Sequence, residues 1–284
     1  MQFRYGILKS IGIDMLLDDH KAAELITTIT TTHPICTVPS DEHLYLAQAS
    51  LFISSILAKS KKIIVFDGIA PGFKNRRSNY ELYKQKIKDL QKTDPIFANT
   101  KLLFCKEWVQ LSGTIRLALK QVTTPFVFIH QHDMCFTKKF NLNACLSSML
   151  MNKNIKWIHF SGKFNSFLTG DMQSSCFGPA DNHVEGSSFV PLTRAYGWSD
   201  HAHIARVDYY NHFIMPMCKN NYMEDSVHRN FKKALFNKSP SEINAIHLKF
   251  GTYLYGDLED GCFFYHMNGR ANDPKYYVKE NTRS

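Results

Sequence analysis

The sequence predicts an α/β fold: a mainly parallel sheet with helices on both faces, followed by a loop-rich second lobe. Three observations lead there. Over residues 25–131, short apolar and β-branched runs alternate with stretches of helical period. Each apolar run ends in polar residues, as strands do when their carboxyl ends open on a ligand cleft. Over 163–200 the texture then turns rich in Ser, Gly, Asn and Phe, which marks a change of architecture.

The elements follow in order. "LITTITT" (25–31) is β-branched and reads as the first strand, and "EHLYLAQASLFISSILAKS" (42–60) carries apolar residues on a helical period. "KIIVFDG" (62–68) is a compact buried strand, and "NYELYKQKIKDLQK" (79–92) an amphipathic helix. "KLLFC" (101–105) is again strand-like, "KEWVQLSGTIRLALKQV" (106–122) helical, and "PFVFIHQ" (125–131) the fourth strand. Strands separated by helices pair in parallel through right-handed crossovers. Beyond them, "IKWIHFSG" (155–162) reads as a strand, "AHIARVDYYNHFI" (202–214) and "MEDSVHRNFKKALF" (223–236) as helices, and "INAIHLKFGTYLYGD" (243–257) as one or two strands. "FFYHMNGR" (263–270) precedes a polar tail. Without a repeat or a low-complexity linker, the reading is one domain over 1–284, with halves 1–135 and 136–284.

Composition narrows the classes of function. With 44% hydrophobic and 21% charged residues the chain has a globular balance, and no run reaches the roughly 18 to 20 apolar residues of a membrane helix. Lys9, Asp14 and Asp18 interrupt the early apolar stretch before a signal-like region forms, so a soluble, cytoplasmic chain is expected. Seven cysteines without a CxxC pair suit reduced thiols rather than a disulfide framework. The net charge of +9 favours an anionic partner, but the basic residues are spread along the chain, as on a solvated surface, and nucleic acid is not expected.

Ligands of a parallel sheet sit beyond the carboxyl ends of its strands. That rule selects Thr31, Thr32 and His33 after the first strand, Asp67 with Gly68 after the second, and His130, Gln131, His132 and Asp133 after the fourth. Neither GxGxxG nor the P-loop signature is present, which disfavours a dinucleotide-binding enzyme and a P-loop nucleotidase.

A nucleotide-binding α/β half, an acid closing the fourth strand and a loop-rich second half together resemble the GT-A glycosyltransferases, whose nucleotide half is Rossmann-type. The resemblance rests on layout and three short motifs. "TTPFVFIHQHDMCF" (123–136) stands where that family carries its DxD tripeptide: Asp133 matches the last acid, Gln131 replaces the first and His132 fills the middle. "NYMEDSVHRNF" looks like the Glu-Asp pair opening a helix in inverting members, which implies Asp225, ahead of Glu224, as the general base. "GCFFYHMNGR" places His266 where some members add a metal ligand, and Arg270 where a cation meets the leaving diphosphate. The resemblance further implies Mn2+ or Mg2+ held by Asp133, His132 and His266, and a UDP-sugar as donor. Thr31, Thr32, His33, Asp67 and Arg116 would lie around that donor, and Trp198, Asp200 and His201 around a carbohydrate acceptor. It is closest in kind to soluble hexosyl- or pentosyltransferases of bacteria or large DNA viruses, which for a viral enzyme means the host cytoplasm.

Two other classes stay open. His130-x-His132 with His201-x-His203 has the spacing of a zinc site, which suits a zinc-dependent hydrolase. The replacement of the first motif acid by Gln131 suits a non-catalytic module that binds a nucleotide-sugar without turnover.

Overall fold

A computed structural model describes residues 17–34, 37–166, 188–218 and 222–267. Among these residues an eight-stranded sheet runs in the order β3-β2-β1-β4-β8-β6-β9-β7. β1 (Ile26–Thr32) lies between β2 (Lys61–Phe66) and β4 (Phe126–Gln131), with β3 (Thr100–Phe104) outside β2, and all of these pairings are parallel. This is the parallel half expected from the sequence. β8 (His203–Arg206) then enters antiparallel between β4 and β6 (Trp157–His159), while β9 (Thr252–Tyr255) runs parallel to β6 and antiparallel to β7 (Leu192–Arg194). A separate ribbon pairs β5 (Met134–Phe136) with β10 (Phe264–His266).

Alternating side chains of β4 feed two cores, because successive strand residues point to opposite faces. Phe126 and Phe128 join Ile26, Phe136, Phe160 and the helix α6 (Leu142–Met151) on one side. Val127 and Ile129 join Ile29, Trp157 and Phe231 on the other. A third cluster lies between β2 and α4 (Arg77–Thr93), where Ile64 and Phe66 meet Tyr80, Tyr83 and Ile87. β1 is buried along its whole length yet rich in threonine, and its hydroxyls are paired internally: Thr27 with Thr124 at 2.8 Å, Thr28 with Ser60 at 3.0 Å, and Thr32 with the Tyr83 hydroxyl at 3.0 Å. Paired hydroxyls remove the desolvation cost that buried polar groups otherwise carry.

Several expected elements change type or length. Stretch 42–60 is not one helix but α2 (Glu42–Ser50), a 3₁₀ turn (Leu51–Ile53) and α3 (Ser55–Lys59), because Ser54 leaves helical geometry (φ −117°, ψ 120°) and its side chain caps α3. The third helix of the parallel half begins only at Gln110 as α5 (Gln110–Leu119). Residues 202–206 are strand rather than helix: they fill the gap between β4 and β6, and helical structure follows from Val207. The stretch 243–250, expected as strand, belongs to α8 (Pro240–Phe250), which Ser239 and Glu242 start as a reciprocal capping box with Pro240 in the first turn. Gly251 ends that helix at φ 62°, and a Cβ there would meet the Asn154 carbonyl oxygen at 2.4 Å. A short α1 (Asp19–Glu24), β5, α6, β7 and β10 had no counterpart in the sequence reading.

Phe128 is fully buried and packs against Phe136, Phe140 and Phe160. Phe128→Ala is expected to destabilise the fold by about 3–5 kcal/mol, read as a lower denaturation midpoint in urea.

Candidate functional site

The carboxyl ends of β1, β2, β4 and β6 open on one cleft of about 1000 Å³. It is lined at one end by Thr31, Thr32, His33, Asp67 and Trp108, in the middle by Gln131, Asp133 and His266, and at the other end by Trp157, His159, Trp198, Asp200, His201, Glu224, Asp225 and His228. Thus most residues selected from the sequence share one cavity.

The first end is held by Asp67. Its Oδ1 accepts hydrogen bonds from the amides of Gly68 (2.7 Å) and Val109 (2.9 Å), which ties the loop after β3 to the end of β2. The approach is tight, since a Cβ on Gly68 would sit 2.1 Å from the Glu107 carbonyl carbon. Burial pushes the Asp67 carboxyl up, and those amide hydrogen bonds act in the opposite direction without cancelling it. The exposed rings of Phe73 and Trp108 flank this end, along with Gln110, whose φ is 60°. The sequence reading missed these residues, although an aromatic two residues or more past a strand end is the signal that could have found Trp108.

In the middle, β4 leaves the sheet through a turn fastened to β1. The His132 amide donates to the Thr31 carbonyl at 3.1 Å, and the His132 Nδ1 lies 3.2 Å from the same oxygen. His132 is buried, stands edge-on to His33 with centroids 5.1 Å apart, and does not line the cleft; its Nε2 is shut off from solvent with no hydrogen-bond partner. Asp133 does line the cleft, and the β5–β10 ribbon brings the His266 Nε2 to 3.7 Å from its Oδ2. Burial would raise the Asp133 carboxyl, but His132 and His266 outweigh it and the net direction is downward. Among the described residues no group of three or more His, Cys, Asp or Glu could hold a metal ion. Asp133 and His266 would offer an ion one carboxylate and one imidazole, a mixed donor pair of the kind that suits Mn2+ better than Mg2+.

The described residues lining the cleft include five carboxylates, Asp67, Asp133, Asp200, Glu224 and Asp225, against a single lysine or arginine, Lys163. Arg116 is not among the lining residues: exposed on α5, it donates to the Met215 carbonyl at 3.3 Å and borders a separate hollow. Arg270 lies outside the described residues.

At the far end, Glu224 and Asp225 stand in the first turn of α7 (Met223–Leu235), where the helix dipole favours negative charge. Asp225 pairs with Arg229 at 3.3 Å. His228, one turn further on, lies 3.4 Å through its Nδ1 from the Trp198 amide. Asp200 is partly open to the cleft, but its carboxyl is packed round by protein, and burial with the Glu224 charge nearby pushes it up to about 7. Trp198 is only 1% exposed, so it is a wall of the cavity rather than an open platform.

The histidine pairs behave differently from a zinc site. Both nitrogens of His203 are engaged, Nε2 with the Tyr210 hydroxyl at 2.6 Å and Nδ1 with the His201 carbonyl at 2.5 Å. His130 is fully buried, its Nε2 bonds Thr30 Oγ1 at 2.7 Å, and burial lowers it to about 3. Those two imidazoles serve the sheet.

No protein-family model matches the chain, and no curated protein matches it. Solved structures do. The mannosyltransferase PcManGT from Pyrobaculum calidifontis, in complex with GDP-Man and Mn2+, is 10% identical over 81% of this chain and 56% of its own, with a TM-score of 0.48. TarS 1-349 from S. aureus is 13% identical over 89% of this chain and 62% of its own, with a TM-score of 0.47. A 4-diphosphocytidyl-2C-methyl-D-erythritolsynthase from Anaerococcus prevotii DSM 20548 is 12% identical over 88% and 92%, with a TM-score of 0.39. The chain thus spans less than two thirds of the length of the first two.

Because the folded Asp200 carboxyl titrates near 7 and its unfolded counterpart near 3.8, the folded state holds the extra proton between those values. The stability this group contributes is full below the lower value and is lost as pH rises through the upper one. Asp200→Asn is therefore expected to raise the melting temperature more at pH 8 than at pH 5. Equal shifts at both pH values would contradict the burial of this carboxyl.

Proposed function

We propose that the chain is a glycosyltransferase that moves a sugar from a nucleoside diphosphate donor, taken as UDP, to a carbohydrate hydroxyl, with inversion at the anomeric carbon. One observation carries the reading: the Asp133–His266 pair lies in the same cleft as the Asp67 end on one side and the helix-start acids Glu224 and Asp225 on the other. That is the order in which a nucleoside, a diphosphate and an attacking hydroxyl must line up.

In this reading Thr31, Thr32, His33 and Asp67 receive the nucleoside. Asp133 and His266 hold the divalent ion, with His132 fixing the turn that presents Asp133. The ion, Mn2+ in view of the mixed carboxylate and imidazole donors, supplies charge neutralisation at the departing diphosphate. Asp225 takes the proton of the acceptor hydroxyl as its oxygen bonds to the anomeric carbon. The bond from that carbon to the diphosphate oxygen breaks, and its electron pair leaves with the diphosphate. A sugar hydroxyl is a poor nucleophile until such a base takes its proton, and Asp225 is placed for this in the first turn of α7, with Arg229 3.3 Å away. Glu224 shares the helix start and acts on Asp200 and His201 through its charge. Trp198, Asp200 and His201 lie at the acceptor end. The hydrolase reading is weaker, because His203 and His130 already spend ring nitrogens on Tyr210 and Thr30.

Thermal-shift titration with UDP and with GDP, each with Mn2+, with Mg2+ and with EDTA, tests the donor site. A matching nucleotide at a hundredfold excess over Kd adds about 2.7 kcal/mol, and both EDTA and Asp133→Ala are expected to abolish that gain. Stabilisation that survives EDTA would remove the metal from the reading, and the absence of any nucleotide effect would remove the transferase. Asp225→Asn is expected to keep nucleotide binding while lowering kcat by about 10² to 10⁴. Full activity in that variant would pass the role of base to Glu224.

A further inference from the structure

The first end of the cleft carries apolar surface that the proposed chemistry does not use. Beside the buried Asp67, the lining includes Pro34, Ala70, Phe73, Trp108 and Leu111. Phe73 is 40% exposed and Trp108 is 42% exposed, whereas the other two tryptophans of the chain are 1% exposed. Two large rings left open inside one cavity are surface that a ligand can still cover, and an apolar pocket with a few polar groups is the usual form of a binding site.

Each ring is tied back to the end of a strand. Phe73 stands at a kink in the 3₁₀ segment Pro71–Arg76 (φ −117°, ψ 20°), and the Arg76 guanidinium lies over it at 4.5 Å. Arg76 in turn donates to the Pro34 carbonyl at 3.2 Å, just past β1. One face of Phe73 is therefore covered and anchored, and its remaining exposure is open to the cavity. Trp108 precedes Val109, whose amide donates to Asp67 Oδ1 at the end of β2, and a Cβ on Gly68 would lie 2.4 Å from the Trp108 amide nitrogen. The backbone that carries Trp108 is thus seated directly on the Asp67-Gly68 turn. Rings fixed before a ligand arrives lose little freedom on binding it, which favours affinity. Asp67 is the one carboxylate beside them, with Thr31, Thr32, His33 and Gln110 as further polar groups. Open ring faces with such polar groups around them suit a flat, uncharged ligand with a polar edge, which is the chemistry of a nucleobase.

We propose that Phe73 and Trp108 form the aromatic platform on which the nucleobase of the donor stacks. This rests on the glycosyltransferase reading for the presence of a nucleotide at this end of the cleft, and it adds two binding residues that no motif of the sequence singles out. The threonines and Asp67 can meet only the edges and the ribose of a nucleoside, while the two rings take its faces.

Trp108 is the one exposed tryptophan of three, so a base stacking on it is expected to quench indole emission. The full chain is titrated at constant Mn2+ with UDP, GDP, UMP, GMP and inorganic pyrophosphate, and read by emission and by calorimetry. At least one nucleotide is expected to quench saturably, and pyrophosphate, which has no base, not at all. Phe73→Ala and Trp108→Ala are each expected to weaken that nucleotide about tenfold, within the range of a lost base–aromatic stack, at unchanged pyrophosphate affinity and melting temperature. Trp108→Phe keeps a ring, so most of the affinity is expected to remain while the quenching disappears. Should an alanine variant melt lower, Phe73→Leu and Trp108→Leu, which keep apolar bulk without a ring, are expected to show the same loss. Phe236→Ala removes an exposed ring outside the cleft and is expected to change nothing. Nucleotide binding without quenching, or untouched in both ring-free variants, would overturn the platform and leave the donor reading standing. Losses that pyrophosphate shares would overturn it too, since the rings would then shape the cavity as a whole. Monophosphates that bind with the expected losses, but gain nothing from a second phosphate, would support the platform and remove the transferase assignment. No nucleotide binding at all would remove both.

Discussion

The parallel pairing of β1 with β4 is the constraint from which the cleft follows. Its register runs from Ile26 opposite Phe126 to Thr31 opposite Gln131, so both strands end at one level and hand their next residues to the same cavity. The Thr31 carbonyl then takes the His132 amide, which turns the chain and brings Asp133 to the cleft. A slip of one residue would exchange the faces of β4, sending Phe128 and Ile129 to the wrong cores and Asp133 away from His266. The buried threonines help to prevent that slip, since Thr30 bonds His130 at 2.7 Å and accepts from Gln48 at 2.8 Å. Inside a dry sheet no water can replace a lost partner, so a slip would leave these polar groups unpaired.

Onto this parallel half the second half adds strands of mixed direction. β8 enters antiparallel beside β4 and carries β6 with it, which places the end of β6, with His159 and Ser161, on the rim already formed by β1 and β4. The sheet is therefore continuous across both halves, and the cleft lies over the join. The β5–β10 ribbon closes it from the other side: Met134 pairs with His266 across the ribbon, so the position of His266 depends on the same turn that positions Asp133.

The electrostatic character of the cleft also comes from assembly. No segment that contributes to it is strongly acidic in sequence, and the chain as a whole is basic at +9. Yet carboxylates from four separate stretches, at 67, 133, 200 and 224–225, converge on one cavity, while the lysines and arginines stay mainly on outer helices. Exposed Lys88, for instance, lies over the Phe104 ring at 4.9 Å, where its charge remains in contact with water. Net charge therefore says little about the ligand here, and the local sign of the cleft says more.

By itself the sequence determined the parallel half and the polar residues that close its strands. Local patterning is enough there, because parallel strands of five to seven residues, buried except for the edge strand β3, alternate with amphipathic helices, and the ligand side of such a sheet is set by topology. It also contained the start of α8 in Ser239, Pro240 and Glu242, a cap signal that outweighs the β-branched look of the residues after it. Tertiary structure alone decided the rest. The segment 202–206 is strand because a gap between β4 and β6 needs backbone partners, not because of its own propensity. Arg116 faces away from the cleft, His132 lies behind it, and Trp157 and His159 belong to its wall, since a side chain's surroundings depend on which distant elements pack against it. Burial, unpaired donors and the convergence of carboxylates are properties of that packing, and no spacing along the chain encodes them.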